Sequence, residues 1–272
     1  MSIWEALILG IIQGITEFLP VSSSGHLVLL QRIFGIHEPA MVFEAAVHGG
    51  TLLAVLAVFR HDILSILRRI TQPLTLYLII GTIPAVIVAL VFRSWIEEAF
   101  TTGFFLGFAF FITSSLLFFS EKLQRRHERS SPSQIRSQDK MNWIDALVIG
   151  LFQTVALIPG VSRSGATISG ALFRRLDRNY AARFSFLLSI PVILGGLVLH
   201  VKNFIDAGRA AEGSIGALPL LIGTISAAIV AFFSMHLLFR IIKKHSLRGF
   251  AFYTGILGLL VLTDQYLTRL FL

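Results

Sequence analysis

Long apolar runs, interrupted at short intervals by basic stretches, dominate the chain. Runs near residues 42–59, 75–92, 103–120, 184–201, 217–239 and 249–268 each approach the roughly 20 residues with which a helix crosses a bilayer. They predict six transmembrane helices. Two further apolar stretches, 3–19 and 142–158, are cut off by Pro20 and by Pro159 with Gly160, and each is followed by a short second apolar piece. Proline and glycine break helices, so both stretches read as re-entrant helical hairpins. Residues 121–140, rich in Ser, Gln and Arg, form the only strongly polar segment and predict a flexible linker.

A shift of 140 residues superimposes the two sides of that linker. Glu5-Ala6-Leu7-Ile8-Leu9-Gly10 falls on Asp145-Ala146-Leu147-Val148-Ile149-Gly150, Gln13 on Gln153, and Val21-Ser22-Ser23-Ser24-Gly25 on Val161-Ser162-Arg163-Ser164-Gly165, without a gap. Shared Gln, Ser and Gly positions are not explained by membrane composition, so the chain carries an internal repeat. The expected fold is an all-α polytopic membrane protein, one integral-membrane domain over 1–272, with repeat one at 1–120, a cytoplasmic linker at 121–140 and repeat two at 141–272. Three spans per repeat force the second copy to enter the membrane upside down, giving an inverted-topology repeat. The loops 60–73, 121–140, 174–183 and 240–248 would share one side and hold 17 of the 23 Lys and Arg, against Arg32, Arg93, Lys202, Arg209 and Arg269 opposite. By the positive-inside rule the linker is cytoplasmic and both termini are external. The two broken tips are then expected to meet inside the membrane.

Composition agrees: 55% of residues are hydrophobic and 14% charged, far from a soluble domain. The first residues lack the basic start and cleavage pattern of a signal peptide, so Met1 is expected to remain. With no cysteine, disulfides, thiolate metal sites and cysteine nucleophiles are excluded, leaving oxygen or imidazole as nucleophile. The net charge of +8 reports orientation and contact with membrane lipids rather than nucleic acid.

Both tips place Ser at a helix start, where it caps and where unpaired N–H groups and the helix dipole attract phosphate. The first offers Ser22, Ser23, Ser24 and Gly25; the second offers Ser162, Arg163, Ser164, Gly165 and Thr167, with Arg163 suited to phosphate oxygens. Gln13 and Glu17, four apart, share a helix face. A carboxylate in so apolar a setting demands a role, and oxygen ligands of this kind suit Mg²⁺ or Ca²⁺. Ser23 and His26 have the spacing of a hydroxyl and its base. Glu44 and His48 either line the same cavity or bridge helices. Gly49, Gly50, Gly195 and Gly196 are expected at close helix contacts, and His61, His127 and His245 in solvent.

At these two tips the sequence resembles the undecaprenyl-diphosphate phosphatase family, the bacitracin-resistance type of membrane phosphatase. The family's first signature corresponds to Gln13, Glu17, Ser22, Ser23 and His26, its second to Pro159, Gly160, Ser162, Arg163, Ser164 and Thr167, and the likeness extends over nearly the whole chain, Phe43-Glu44 included. Many members carry Glu where this chain has Gln13. The resemblance implies hydrolysis of undecaprenyl diphosphate to the monophosphate for peptidoglycan synthesis, a divalent cation, bacitracin resistance, and a site open to the external face of the bacterial inner membrane. It implies Glu17, Ser23, His26 and Arg163 as catalytic residues, with Ser23 or His26 as nucleophile, Glu17 and Gln13 toward the metal, and the remaining tip residues toward substrate. It also allows a homodimer. Inverted repeats with broken helices equally suit a carrier, so a lipid-phosphate flippase is the competing expectation.

Overall fold

The computed structural model describes residues 1–36, 41–102, 105–206, 215–268 and 270; Arg209 and Arg269, two of the charges assigned to the sparse side, lie outside them. The described residues form twelve α-helices: α1 Ile3–Thr16, α2 Ser23–Ile33, α3 Met41–Val58, α4 Arg60–Arg68, α5 Pro73–Val91, α6 Arg93–Thr102, α7 Leu106–Ser130, α8 Trp143–Val155, α9 Arg163–Phe173, α10 Arg178–Asp206, α11 Ala217–Lys244 and α12 Arg248–Thr263. Six of them, α3, α5, α7, α10, α11 and α12, are long and apolar enough to cross a membrane. The protein is an all-α, multi-pass membrane protein. On α5, Leu76, Ile79, Ile83, Val86, Ile87 and Leu90 are exposed at helical spacing, a stripe suited to hydrocarbon rather than to water.

The expected linker differs from the sequence reading over its first half. Helix α7 continues to Ser130, with Glu121 and Gln124 buried inside the fold. Glu121 accepts from Arg178 (2.6 and 3.1 Å), Arg125 (2.7 Å) and Ser246 (2.7 Å), so charges that read as solvated are paired with one another. Further on, Asp145 takes both Arg136 terminal nitrogens (2.9 and 2.7 Å) and Arg174 Nε (2.7 Å), and Arg183 bonds Asp62. These pairs gather all four basic loops at one end of the molecule.

Packing between the halves is reciprocal: α1 lies on α11, α8 lies on α5, and α7 pairs with α12. Glycine permits both crossings. A Cβ on Gly10 would strike Ser226 and the Gly223 backbone, and one on Gly150 would lie 2.6 Å from the Gly81 carbonyl. Gly50 is likewise pressed against Thr224 of α11, but Gly49, Gly195 and Gly196 meet open space among the described residues. Their assignment to close contacts is therefore corrected: the approach of α3 to α11 needs only one glycine of its pair. Beneath the first tip, Phe18, Phe59, Phe186 and Phe239 contact edge-on with centroids 5.1–6.3 Å apart, pairs that contribute about 0.5–1.5 kcal/mol each beyond their burial.

Gly150→Ala is expected to destabilise the protein by about 1–3 kcal/mol, the usual cost of overpacking, whereas Gly195→Ala leaves stability unchanged. Thermal unfolding of both variants in the same detergent checks the contrast.

Candidate active site

Each tip begins from a capped helix. Ser2 and Glu5 form a reciprocal capping box at the start of α1, and Asn142 and Asp145 form its counterpart at α8. Helix α1 closes on Glu17, whose N–H donates to the Gln13 carbonyl at 2.9 Å, and Pro20 prevents its continuation. The chain then turns through Ser22, at φ 75°, a left-handed conformation costly for a residue with a Cβ. The Ser22 hydroxyl accepts the Gly25 N–H at 3.2 Å and starts α2. In the second tip Gly160 adopts φ 89°, a region open to glycine, and the Ser162 hydroxyl accepts the Gly165 N–H at 3.0 Å to start α9.

The two tips meet. Arg163 Nη2 donates to Glu17 Oε1 at 2.9 Å, and the Ser164 hydroxyl donates to the Leu19 carbonyl at 3.1 Å. The other Glu17 oxygen, Oε2, accepts from the Ser23 hydroxyl at 2.7 Å and from Gln13 Nε2 at 3.0 Å. The Glu17 side chain is 5% exposed and that of Arg163 14%. Charges so far from water persist because each answers the other, and removal of one partner of such a pair costs about 3–5 kcal/mol.

Ser23 is thus joined to Glu17 and not to His26. The His26 ring lies with Nδ1 2.6 Å from the Ser22 carbonyl and Nε2 2.7 Å from the Tyr253 hydroxyl, stacked on the Tyr253 ring and edge-on to Phe110. A carbonyl can only accept, so Nδ1 carries a proton, and Nε2 of the neutral ring accepts from the tyrosine. Ser24 is half-buried in the first turn of α2 beside Gly25. Ser162 and Ser164 are buried, their hydroxyls 3.2 Å apart. Thr167 is wholly buried, donates back to the Arg163 carbonyl at 2.9 Å and meets the Ser185 hydroxyl at 2.6 Å; it joins α9 to α10.

Glu44 and His48 divide between the two roles open to them. Glu44 accepts from Gln31 at 3.1 Å, tying α2 to α3, while His48, held by Nδ1 against the Glu44 carbonyl at 2.7 Å, turns Nε2 toward Glu17 Oε2 at 3.6 Å. Tyr253, Thr113 and Ser185 were not singled out in the sequence. Thr113 accepts the Ser162 N–H at 3.0 Å, and nothing in its flanking residues marks that service.

Gln13 Oε1 is buried without a hydrogen-bond donor. Gln13 meets Glu17 through Nε2, so its carbonyl oxygen, once turned toward the carboxylate, would suit a hard divalent cation. Among the described residues no three His, Asp or Glu side chains converge as a metal cage, so substrate phosphate oxygens would have to complete the shell.

Residues 6–260 match the model of the family described as bacitracin resistance protein BacA. The chain belongs to the BacA family. Among its relatives, the undecaprenyl-diphosphatase of Carboxydothermus hydrogenoformans is 42% identical over 97% of this chain and 98% of its own length. Undecaprenyl-diphosphatase 3 of Bacillus cereus is 40% identical over 98% of each chain, and the undecaprenyl-diphosphatase of Halothermothrix orenii is 37% identical over 96% of this chain and 98% of its own. Both tips fall within the BacA match.

Thr113→Val keeps the shape of the side chain but leaves the buried Ser162 N–H without an acceptor, which costs about 1–3 kcal/mol. A lowered unfolding temperature is expected for this variant, and Ser114→Ala, which frees only a carbonyl, serves as the milder comparison.

Proposed function

We propose that this chain hydrolyses undecaprenyl diphosphate to undecaprenyl phosphate and inorganic phosphate, returning the carrier lipid to peptidoglycan synthesis and conferring bacitracin resistance. The observation that carries the reading is the junction of the tips: one buried carboxylate accepts a serine proton on one oxygen and an arginine on the other. Anion binding alone would not need a hydroxyl joined to a base, which favours the enzyme over a carrier. The relatives named above bear the name of this activity over nearly their full length.

Ser23 is the nucleophile in this reading. Its Oγ attacks the terminal phosphorus while its proton passes to Glu17 Oε2, and the bond from that phosphorus to the bridging oxygen breaks, releasing the lipid monophosphate. Water then attacks the phosphoserine, gives a proton to the medium and releases phosphate as Ser23 recovers its proton from Glu17. His26 is the weaker nucleophile because Tyr253 occupies its Nε2; it fixes the start of α2 through the Ser22 carbonyl. Arg163 exchanges part of its bond to Glu17 for the equatorial phosphate oxygens, where phosphoryl transfer places most of its charge. The opening N–H groups of α2 and α9, beside Ser22, Ser24, Gly25, Ser162, Ser164 and Gly165, add to that field, and Thr167 holds Arg163's turn in place. Mg²⁺ or Ca²⁺, held by Glu17 and Gln13, would supply further neutralisation of phosphate charge.

The same proposal includes two inverted repeats, 1–120 and 141–272, each opening with a re-entrant hairpin. The reciprocal packing of α1 on α11 and α8 on α5, each with a glycine pair at the crossing, supports it. The basic end faces the cytoplasm by the positive-inside rule, both termini are external, and the site opens to the external face of the inner membrane. Glu17, Ser23, His26 and Arg163 all come from one chain, so chemistry does not require the homodimer that the resemblance allows.

The test is phosphate release from undecaprenyl diphosphate by the purified protein, with Mg²⁺, with Ca²⁺ and with chelator. Loss of activity in chelator is expected, together with a fall of about 10²–10³-fold or more in Arg163→Ala, the scale for removing one transition-state donor, and of at least that size in Glu17→Ala and Ser23→Ala. Near-normal release by folded Ser23→Ala would transfer the nucleophile to His26 or to water.

A further inference from the structure

Helix α4 joins the spans α3 and α5 and is too short and polar to enter the membrane as a span. It therefore lies at the boundary between lipid and water. None of its residues is buried. Ile63 and Ile66 turn partly toward the protein, Ile63 against the core, and Asp62 is anchored to Arg183 of α10. Outward it presents Leu64 at 48% exposure and Leu67 at 66%, with Ile70 at 69% just past its end, among the exposed basic residues Arg60, Arg68 and Arg69. A soluble surface has no use for such a mixture; an interfacial helix does, since its apolar residues enter the acyl boundary while its cations meet headgroups.

Along this helix runs an open groove of about 350 Å³, lined by His61, Leu64, Ser65, Arg68 and Arg69. His61, Ser65 and Arg68 repeat at helical intervals, so they share one face. Arg68 and Arg69 pair with no acid among the described residues, unlike Arg125, Arg136, Arg174, Arg178 and Arg183 at the same end of the molecule. The groove thus offers two uncommitted guanidiniums next to leucines placed for acyl chains, beside a Ser65 hydroxyl that donates to Gln72 at 3.3 Å. We propose that it is a binding site for the headgroup phosphate of an anionic phospholipid of the surrounding bilayer, separate from the site at the tips. Charge complementarity selects the lipid: zwitterionic headgroups would bring a cation of their own against Arg68 and Arg69, and free phosphate would leave Leu64 and Leu67 uncovered.

The experiment is native mass spectrometry of the full chain in detergent, titrated with phosphatidylglycerol or phosphatidylcholine. Wild-type protein is expected to retain phosphatidylglycerol in preference to phosphatidylcholine. Arg68→Gln/Arg69→Gln is expected to lose one bound phosphatidylglycerol, with affinity at that position about 30-fold weaker for two cations removed, while its phosphatase activity and unfolding temperature in detergent stay at wild-type values. Arg126→Gln/Arg129→Gln, which removes the same charge from exposed positions elsewhere on the basic end, is expected to keep that lipid. An equal loss in both double variants overturns the site by reducing the effect to net charge. Displacement of the lipid by millimolar inorganic phosphate overturns the lipid assignment, and an unchanged lipid count in Arg68→Gln/Arg69→Gln overturns the proposal altogether. Should that variant fail to fold, Leu64→Ser/Leu67→Ser, which keeps both arginines, is expected to weaken phosphatidylglycerol by its acyl contacts, and wild-type retention there is equally decisive against it.

Discussion

The contact on which the rest of the structure depends is the buried pair between Glu17 and Arg163, 2.9 Å apart. Each residue stands where a helix has just stopped or just begun, so each brings both a side-chain charge and the partial charge of a helix end. Neither charge is tolerable alone in so apolar a surrounding. Their pairing obliges two segments 146 residues apart to approach, and Ser164 with Leu19 then fixes their register. What looks like a stabilising bridge is equally a device for concentrating polar groups at one point: Gln13, Ser23 and His48 gather around the same carboxylate.

That concentration is supported from outside by groups with no chemistry to perform. The Phe18–Phe186 contact seats the first tip against α10, Thr113 completes the hydrogen bonding of Ser162, and Ser185 with Thr167 locks α9 against α10. At the far end of the molecule Glu121 and Asp145 tie the basic loops together. Ion pairing at one end and glycine-mediated helix crossings in the middle leave the tip junction little freedom to open without disturbing several elements at once.

Much of this was legible in the sequence because the membrane imposes severe rules. Apolar length alone located the six spans, except that α7 runs on to Ser130 and α10 begins at Arg178, inside the stretch expected to be a basic loop. There the polar stretch misled, since a sequence cannot say that Glu121 and Arg178 answer each other across 57 residues. The 140-residue shift and the capping residues identified both tips, and helix periodicity put Gln13 beside Glu17. Spacing misdirected one partnership: Ser23 and His26 lie close along α2, yet Ser23 turns to Glu17 on the preceding helix and His26 to Tyr253, 227 residues away. Partners fixed by tertiary approach leave no periodic trace, and for the same reason Tyr253 could not be read in advance, while His48 could be given the cavity only as one of two alternatives.

The packing of α1 on α11 also bears on how the protein is made. Gly10 leaves the ribosome more than two hundred residues ahead of its partner Gly223. At about 5–20 residues per second, the first helix waits on the order of 10–40 s for the surface that will cover it. For the first part of that interval Glu17 also lacks Arg163, which is made 146 residues after it. Helix α1 is therefore made early and docked late, and the junction of Glu17 with Arg163 cannot form before α9 has been made.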